Sequence, residues 1–319
     1  MNRLAVLTSG GDASGMNAAI RAVVRSALWH GWLPYGVYQG FSGLIEGRIH
    51  ALNAGSVADI IHRGGTILQT SRSDEFMTHA GREQARQELM NFGIQHLIVI
   101  GGNGSLKGAH ELDQLGIHCI GIPATIDNDI AGTRSIGFDT AVNTALDAIN
   151  RIRDTASSHG RNFLIEVMGR DCGELALAAG VAGGAESILI PEIDTDLEAM
   201  VKRVEQGIAR GKAHSIIVVA EGVYPLDRLQ QLLEERTGHD CRIIVLGHVQ
   251  RGGTPGMADR LLASFMGNHA VDLLIAGQHD CMVASDGGEQ FFPLSLASVL
   301  SGGREPELSM LELARVLSI

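Results

Sequence analysis

Several things are scarce in this chain of 319 residues, and each scarcity excludes a class of protein. Cysteine occurs four times, at 119, 172, 241 and 281, with no C-x-x-C pair. That excludes a disulfide scaffold and a zinc ribbon, and predicts reduced core or loop thiols. No H-x-x-H or H-E-x-x-H spacing exists either, so a zinc site of that kind is not expected. Long hydrophobic runs are missing. The longest small-apolar stretch, Leu175 to Ala185, is broken by three glycines and falls far short of the ~20 residues of a membrane span. The opening MNRLAVLTSGGD has only a short apolar run, too short for a signal-peptide core, so the expectation is a cytoplasmic protein with no membrane partner. Basic surplus is absent too: net charge is -11, which argues against nucleic-acid backbones as partners. Of the acidic residues, 11 fall in 1–138 and 25 in 139–319, so the acid excess begins near the middle.

What the chain has is glycine, 41 of them, and aliphatic residues; hydrophobic residues make up 45% and aromatics only 4%. The glycines have no period of three, which excludes collagen, and the apolar content excludes a disordered chain. Short aliphatic runs at 4–8, 97–101, 119–122, 163–167, 187–190, 215–220 and 243–246 read as buried parallel strands, apolar on both faces. Between them helical spacing recurs, as in Ile20, Val24, Ala27 and Leu28, or Val142, Ala145, Leu146, Ile149 and Ile152. Strands alternating with helices predict a doubly wound α/β architecture. No linker interrupts it, and the change of domain is expected near 137–139, before a long helix beginning around Asp139.

Glycines cluster where strands should end. Gly10-Gly11-Asp12-Ala13-Ser14-Gly15 follows the first strand and opens a helix at Met16. It is a tight structural turn or a phosphate cradle built on backbone N–H groups and a helix N-terminus. It carries neither the dinucleotide nor the Walker fingerprint. Gly101-Gly102-Asn103-Gly104-Ser105 repeats the arrangement. So much glycine costs backbone entropy, and close ligand approach is the favoured cause. Thr125-Ile126-Asp127-Asn128-Asp129 follows Pro123. If extended, it puts Thr125, Asp127 and Asp129 on one face, suited to a general base beside a magnesium-directed carboxylate; the alternative is an Asx-rich loop. Arg21 and Arg25 stand four apart on one helix, which repels unless an anion bridges them. Arg161, Arg170, Arg242 and Arg251 flank strands or glycine turns, where arginine can grip phosphate bidentately. His248, in GHVQRGG, is a structural histidine or a phosphate donor, and His159 a possible helix cap.

Together, GGDASGMNAAIR (10–21), GGNGSLKGA (101–109), PATIDND (123–129), EVMGR (166–170) and GHVQRGG (247–253) resemble the bacterial ATP-dependent 6-phosphofructokinase family, in order and interval, over about 1–300. The resemblance implies two similar three-layer α/β lobes with mainly parallel sheets. One, for nucleotide, would comprise 1–138 plus about 250–300; the other, for sugar phosphate, 139–249 plus about 301–319. It implies transfer of the ATP γ-phosphoryl group to the 1-hydroxyl of fructose 6-phosphate, in glycolysis, with Mg2+. Asp127 would be the base, with Thr125 and Arg170 aiding the transferring group. Gly11, Arg72, Ser73, Gly102, Asn103, Gly104 and Ser105 would hold nucleotide, and Asp129 with position 103 would face the metal. Sugar contacts would be Met168, Gly169, Glu221, His248 and Arg251, with Thr125, Asp127 and Arg170, joined by Arg161 and Arg242 from a neighbouring subunit. That sharing requires an oligomer, expected to be a homotetramer.

An effector pocket for ADP or phosphoenolpyruvate is implied by Arg21, Arg25, Asp59 and Arg153, and by Glu186, Arg210, Lys212 and His214. Ala54 and Ala58 depart from it, standing where the pattern has arginine and serine. Other departures touch the chemistry. Asn103 replaces a metal-directed aspartate, removing a negative charge; Ser73 and Met77 replace an aromatic and an arginine near the nucleotide. Ala124 replaces the glycine of ATP users but is not the lysine of pyrophosphate users, and Gly104 in place of aspartate favours ATP. The rival readings are a kinase of the same fold for tagatose 6-phosphate or sedoheptulose 7-phosphate, and a weakly active, nucleotide-binding regulatory paralogue.

Overall fold

The computed structural model describes residues 2–287, 290–304 and 308–317. Parts of the segments expected at about 250–300 and 301–319, namely 288–289, 305–307 and 318–319, lie outside the described residues. The chain forms two compact units: 1–125, 129–140 and 251–304 in one, and 126–128, 141–250 and 305–319 in the other.

The first unit runs β1 (Arg3–Thr8), α1 (Met16–Trp29), β2 (Leu33–Val37), α2 (Gly40–Ile45), β3 (Ile49–Ala51), α3 (His79–Asn91), β4 (His96–Gly101), α4 (Asn103–Asp113) and β5 (His118–Pro123). The long helix α5 (Phe138–His159) begins in it and continues into the second unit. The second unit adds β6 (Asn162–Val167), α6 (Glu174–Ala182), β7 (Ser187–Leu189), α7 (Leu197–Ala209), β8 (Ile216–Ala220), α8 (Leu226–Thr237) and β9 (Cys241–Val245). The chain then returns to the first unit with α9 (Met257–Ile275), β10 (Cys281–Ser285), β11 (Phe291–Ser295) and α10 (Leu296–Ser301), and ends in the second with α11 (Leu308–Leu317).

The first sheet has seven strands in the order β11-β10-β5-β4-β1-β2-β3, parallel inside and antiparallel only at its two edges. Ala5 and Leu7 of β1 face a core with Phe41, Leu44, Leu89 and Leu106, drawn from α2, α3 and α4. Leu4 and Val6 alternate to the other face and are fully buried, on the side where α1 and α9 pack on each other. The second sheet, β7-β8-β6-β9, is parallel throughout. Leu164, Ile217 and Val219 meet Met200, Val204, Leu229 and Leu233 of α7 and α8 on one face. The other carries α6, whose Leu175, Ala176 and Leu177 are all buried.

Each expected strand is present, but the reading of 243–246 as buried on both faces fails. β9 is an edge strand whose Ile243 and Ile244 are half-buried and whose Val245 is 57% exposed. An aliphatic run marks strand propensity and does not reveal whether a neighbour covers it. Strands β2, β3, β10 and β11 were not legible. LPYGV contains a proline and a glycine, β3 and β11 are edge strands, and CMVAS of β10, though inside the sheet, mixes a serine and small residues with only two large aliphatic ones. No described helix is long and apolar enough to cross a membrane.

All four cysteines are buried and free. Burial pushes the Cys241 thiol from its ordinary 9.0 up to about 12 and Cys281 up to about 11, and holds Cys119 well above the ordinary value. The native protein at pH 8 should therefore react slowly with an aromatic disulfide reagent, and all four thiols should titrate at once in denaturant. The folded state keeps protons that the unfolded chain releases. Its stabilisation from these groups is full below about pH 9 and fades as pH climbs toward about 12. Denaturant midpoints measured across that range should fall accordingly.

Candidate active site

In the first unit, β5, β4 and β1 lie side by side and deliver their carboxyl ends to one end of the sheet, where open α/β sheets bind ligands. The turn after β1 leads into α1 through Gly15, and the turn after β4 leads into α4 through Gly102; neither helix has a side-chain cap. Their first N–H groups are left to a ligand or water, with the positive end of each helix behind them. A neighbouring loop braces the first turn. Thr70 Oγ1 donates to the Gly10 carbonyl at 2.9 Å, and Thr8 Oγ1 reaches the Gln69 carbonyl and Thr66 Oγ1, each at 2.8 Å.

The glycines divide by what stands near them. A Cβ at Gly101 would lie 2.5 Å from both Ser105 Oγ and the Ser9 carbonyl, so packing alone demands glycine there. At Gly102 the nearest atom would be Thr125 Cβ at 3.7 Å, and at Gly104 nothing lies within 4 Å. The protein's own packing gives no reason for those two. At Gly11 a Cβ would strike the guanidinium of Arg251, whose Nη1 donates to the Asp12 carbonyl at 3.5 Å. Arg251 thus sits on the first glycine turn. Ser105 is buried, Arg72 exposed, and the Ser73 hydroxyl accepts from Phe76 N at 3.2 Å, capping a short 3-10 turn over Glu75–Met77. Thr125 is buried and its N–H donates to the Ile136 carbonyl at 3.0 Å. Asn103, first residue of α4, donates its amide Nδ2 to Asp129 Oδ2 at 2.9 Å.

The extended reading of Thr125–Asp129 does not hold. Strand pairing stops at Ala124, the chain bends at Ile126 and Asp127, and Asn128 takes a left-handed backbone with φ 54°. Asparagine tolerates that conformation, so the TIDND segment is a turn and alternation no longer assigns its faces. Ile126–Asn128 belong to the second unit, where Asn128 Nδ2 donates to Glu174 Oε2 at 3.4 Å.

In that unit Asp127 is 3% exposed, and Arg170 Nε stands 3.8 Å from its Oδ2. Arg170 is itself left-handed, φ 53°, after Gly169 at φ 145°. Glu221, just beyond β8, fastens this turn: its Oε1 accepts from Arg170 N at 2.7 Å and from Gly169 N at 3.3 Å. Met168 is buried beside them in sequence, and His248 is exposed on a 3-10 turn after β9. Met168–Arg170, Glu221 and His248 all follow the carboxyl ends of adjacent strands β6, β8 and β9. Arg161 and Arg242 do not join them. Both pair with Asp240, at 3.4 and 3.3 Å, at the opposite end of β6 and β9, about 15–20 Å of strand away.

The expected effector residues also divide between the units. Lys212 pairs with Glu186, whose other oxygen accepts from Ile216 N, and Arg153 donates to the Gly183 and Gly184 carbonyls. His214 feels all three charges; burial lowers its pKa, with Glu186 opposing and Arg153 and Lys212 adding. Arg210 is exposed at the end of α7. Arg21, Arg25 and Asp59 lie in the first unit, and none has a recorded ion pair among the described residues. Two residues escaped sequence reading. Glu166 has a pKa raised by burial and then by Glu221. Asp259 of α9 binds Gly137 N and Thr140 N, each at 2.8 Å, and so seats the start of α5. The acid at the head of EVMGR was a visible signal for Glu166; nothing local marked Asp259.

A family model described as Phosphofructokinase matches residues 3–274. Over 320 residues and the whole of both chains, the sequence is 57% identical to an ATP-dependent 6-phosphofructokinase of Natranaerobius thermophilus and 52% identical to that of Bacillus subtilis. Among solved structures, phosphofructokinase from Saccharomyces cerevisiae superposes with a TM-score of 0.88 at 34% identity, covering 94% of this chain and 45% of that one. A pyrophosphate-dependent phosphofructokinase from Marinobacter aquaeolei gives 0.85 at 24% identity, covering 97% and 86%, a likeness of fold alone.

The division of the glycines is testable without any ligand. Gly101→Ala should destabilise by about 1–3 kcal/mol through overpacking. Gly104→Ala, entering open space in a helix, should leave the melting temperature unchanged or slightly raised. Thermal unfolding of the two variants checks both.

Proposed function

The chain belongs to the phosphofructokinase family, and from that premise we infer that it transfers the γ-phosphoryl group of ATP to the 1-hydroxyl of fructose 6-phosphate, giving fructose 1,6-bisphosphate for glycolysis in the cytoplasm. The observation that carries the choice of ATP is the open backbone at Gly102 and Gly104, where packing does not require glycine. The resemblance implies aspartate at the second of these positions and lysine at 124 in pyrophosphate users, and this chain has Gly104 and Ala124 there.

The first unit is the nucleotide lobe. Gly11, Gly102 and Gly104 let phosphate approach the N–H groups at the heads of α1 and α4, with Ser105 in the first turn of α4, and the exposed Arg72 joins them in holding the nucleotide. The second unit carries the sugar-phosphate residues Met168, Gly169, Arg170, Glu221 and His248. Phosphoryl transfer asks a protein for positioning and charge stabilisation rather than covalent chemistry. Asp127 takes the proton of the 1-hydroxyl as that oxygen attacks. Arg170 and Thr125 stabilise charge on the transferring group. Glu221, by holding the Gly169 and Arg170 N–H groups, fixes where that guanidinium starts.

The divalent ion is magnesium, and the donor set fits it. Asp129 offers one carboxylate, its Oδ2 turned to the Asn103 amide, and Mg2+ is commonly held by one or two carboxylates completed by substrate phosphates and water. When bound, the ion would neutralise charge on the nucleotide phosphates. Arg161 and Arg242, at the far ends of β6 and β9, serve the sugar-phosphate site of a neighbouring copy, so the working enzyme is a homotetramer with shared sites. Arg21, Arg25 and Asp59 of one copy meet Arg153, Glu186, Arg210, Lys212 and His214 of another around an effector phosphate.

Asp127→Asn should lower turnover about 10²- to 10⁴-fold with sugar-phosphate affinity nearly unchanged. A coupled assay over fructose 6-phosphate, tagatose 6-phosphate and sedoheptulose 7-phosphate, with ATP and with pyrophosphate, checks the base and the substrate together. Near wild-type turnover in the variant sinks the base assignment, and no turnover in the parent leaves only a regulatory paralogue.

Asn103→Asp replaces a 2.9 Å hydrogen bond by two facing carboxylates. Without metal the variant should melt below the parent, and magnesium should raise its melting temperature more than the parent's while lowering the magnesium needed for half-maximal rate. Identical melting curves and magnesium titrations would remove position 103 from the metal site.

A further inference from the structure

Asp127 belongs to a three-residue stretch, 126–128, that falls to the second unit although the chain on both sides of it lies in the first. No strand or helix includes that stretch: pairing has ended at Ala124, and the next regular element, α5, starts at Phe138. Its backbone passes through Asn128 at φ 54°, a conformation that costs an L residue energy and persists only where the surroundings impose it. Asp127 and Asn128 are both closed off from solvent, so protein groups must impose it.

A single loop of the second unit brings such groups. Residues 168–173 join β6 to α6, and their course is fixed at several points. Glu221 holds the N–H groups of Gly169 and Arg170. Cys172 N donates to the Gly169 carbonyl at 3.0 Å, and a Cβ at Gly169 would strike the Cys172 carbonyl at 2.4 Å. Gly173 N donates to Glu192 Oε1 at 2.7 Å, and a Cβ there would meet Ile190 at 2.4 Å. So pinned, the loop and the head of α6 present two charged side chains to the stretch. Arg170 reaches Asp127 itself, with Nε 3.8 Å from Oδ2. Glu174 reaches its neighbour, taking Asn128 Nδ2 on Oε2 at 3.4 Å across 46 residues of sequence.

Glu174 is 2% exposed, and a carboxylate taken so far out of water is costly unless its oxygens are hydrogen-bonded. As the first residue of α6 it stands in the favourable field of the helix's positive end. A charged acceptor also holds an amide more firmly than a neutral one. The position is therefore suited to gripping Asn128 rather than to filling space.

We propose that Glu174 is a positioning residue for the proton acceptor Asp127, holding Asn128 in its left-handed conformation so that the Asp127 carboxyl is presented beside Arg170. The proposal rests on the reading of Asp127 as the base. Glu174 fixes where that carboxyl stands, as Glu221 fixes where the guanidinium starts, and a reacting group displaced by about 1 Å can lose about 10²-fold in rate.

Steady-state kinetics and hydrogen exchange on the full chain test it. Glu174→Ala should lower kcat about 10- to 100-fold, while KM for sugar phosphate and for ATP stays within about threefold of the parent's. Glu174→Gln keeps an acceptor oxygen for the amide and should recover turnover to within about threefold of the parent. Asn128→Gly permits the left-handed backbone without gripping it, and should match Glu174→Ala. Placed on Asp127→Asn, Glu174→Ala should cost little more, because a group that acts through the base has nothing left to position. Amide exchange over 124–130 should quicken in Glu174→Ala and Asn128→Gly and keep the parent's rate in Glu174→Gln, a readout independent of turnover. The proposal falls if Glu174→Ala or Asn128→Gly keeps the parent's kcat, if Glu174→Gln is as slow as Glu174→Ala, or if exchange over 124–130 does not change. It falls as well if Glu174→Ala slows Asp127→Asn as much as it slows the parent. Should Glu174→Ala fail to fold, Asn128→Gly and Glu174→Gln decide the matter. Parent-like turnover in Asp127→Asn overturns the base assignment and this proposal together, whereas parent-like turnover in Glu174→Ala beside a crippled Asp127→Asn overturns this proposal alone.

Discussion

Parallel pairing is the constraint on which the placement of every functional residue rests. A strand that must pair parallel to its predecessor has to be reached by a crossover, so all carboxyl ends in a sheet face one way. In the first unit this brings the turns after β1, β4 and β5 together, and in the second the turns after β6, β8 and β9. Glycine is concentrated where it serves that geometry. The same polarity sends Arg161, Arg242, Glu186, Lys212 and His214 to the amino ends of strands in the second sheet, away from Met168–Arg170 and Glu221. On the proposed reading, one sheet therefore serves its own sugar site with one end and neighbouring copies with the other.

Support from behind decides how rigid these turns are. Thr8, Thr66 and Thr70 tie the loop of 66–70 to the first glycine turn by side-chain hydrogen bonds, so a backbone rich in glycine does not wander. Glu221 does the equivalent for Gly169 and Arg170, holding a left-handed arginine that would otherwise relax. Asp259 does it for the head of α5 with a carboxylate that burial makes reluctant to ionise. Its hydrogen bonds from Gly137 N and Thr140 N work against that reluctance. In each case the group that positions comes from an element distant in sequence from the group positioned.

That distance explains what could and could not be read from the sequence. Central strands announce themselves because a strand buried on both faces needs an unbroken aliphatic run, as in LIVIG and SIIVVA. Edge strands such as β3 and β11 have one unpaired side and no such need, so their sequences look like loops. The glycine turns were legible as motifs, but not which glycines packing requires, since that depends on Ser9 reaching Gly101 and Arg251 reaching Gly11 from other parts of the chain. The TIDND segment misled because alternation assumes a strand, and a single left-handed asparagine cancels the assumption. Glu221 was named for the sugar, whereas its position on two backbone N–H groups could come only from the fold.

On the proposed reading, Asn103 is a departure from the family pattern that stays consistent with metal-assisted phosphoryl transfer. Two carboxylates at 2.9 Å would repel strongly until a cation arrived, so a site with aspartate at both positions spends binding energy of the metal on relieving its own strain. With an amide at 103 the Asp129 carboxylate is already hydrogen-bonded and already aimed, at the cost of one negative charge. The exchange trades affinity for order. On the proposed reading the nucleotide phosphates bring their own charge to the ion, so the lost carboxylate is the contribution most easily made up by substrate. The orientation of Asp129 is the one that substrate cannot supply.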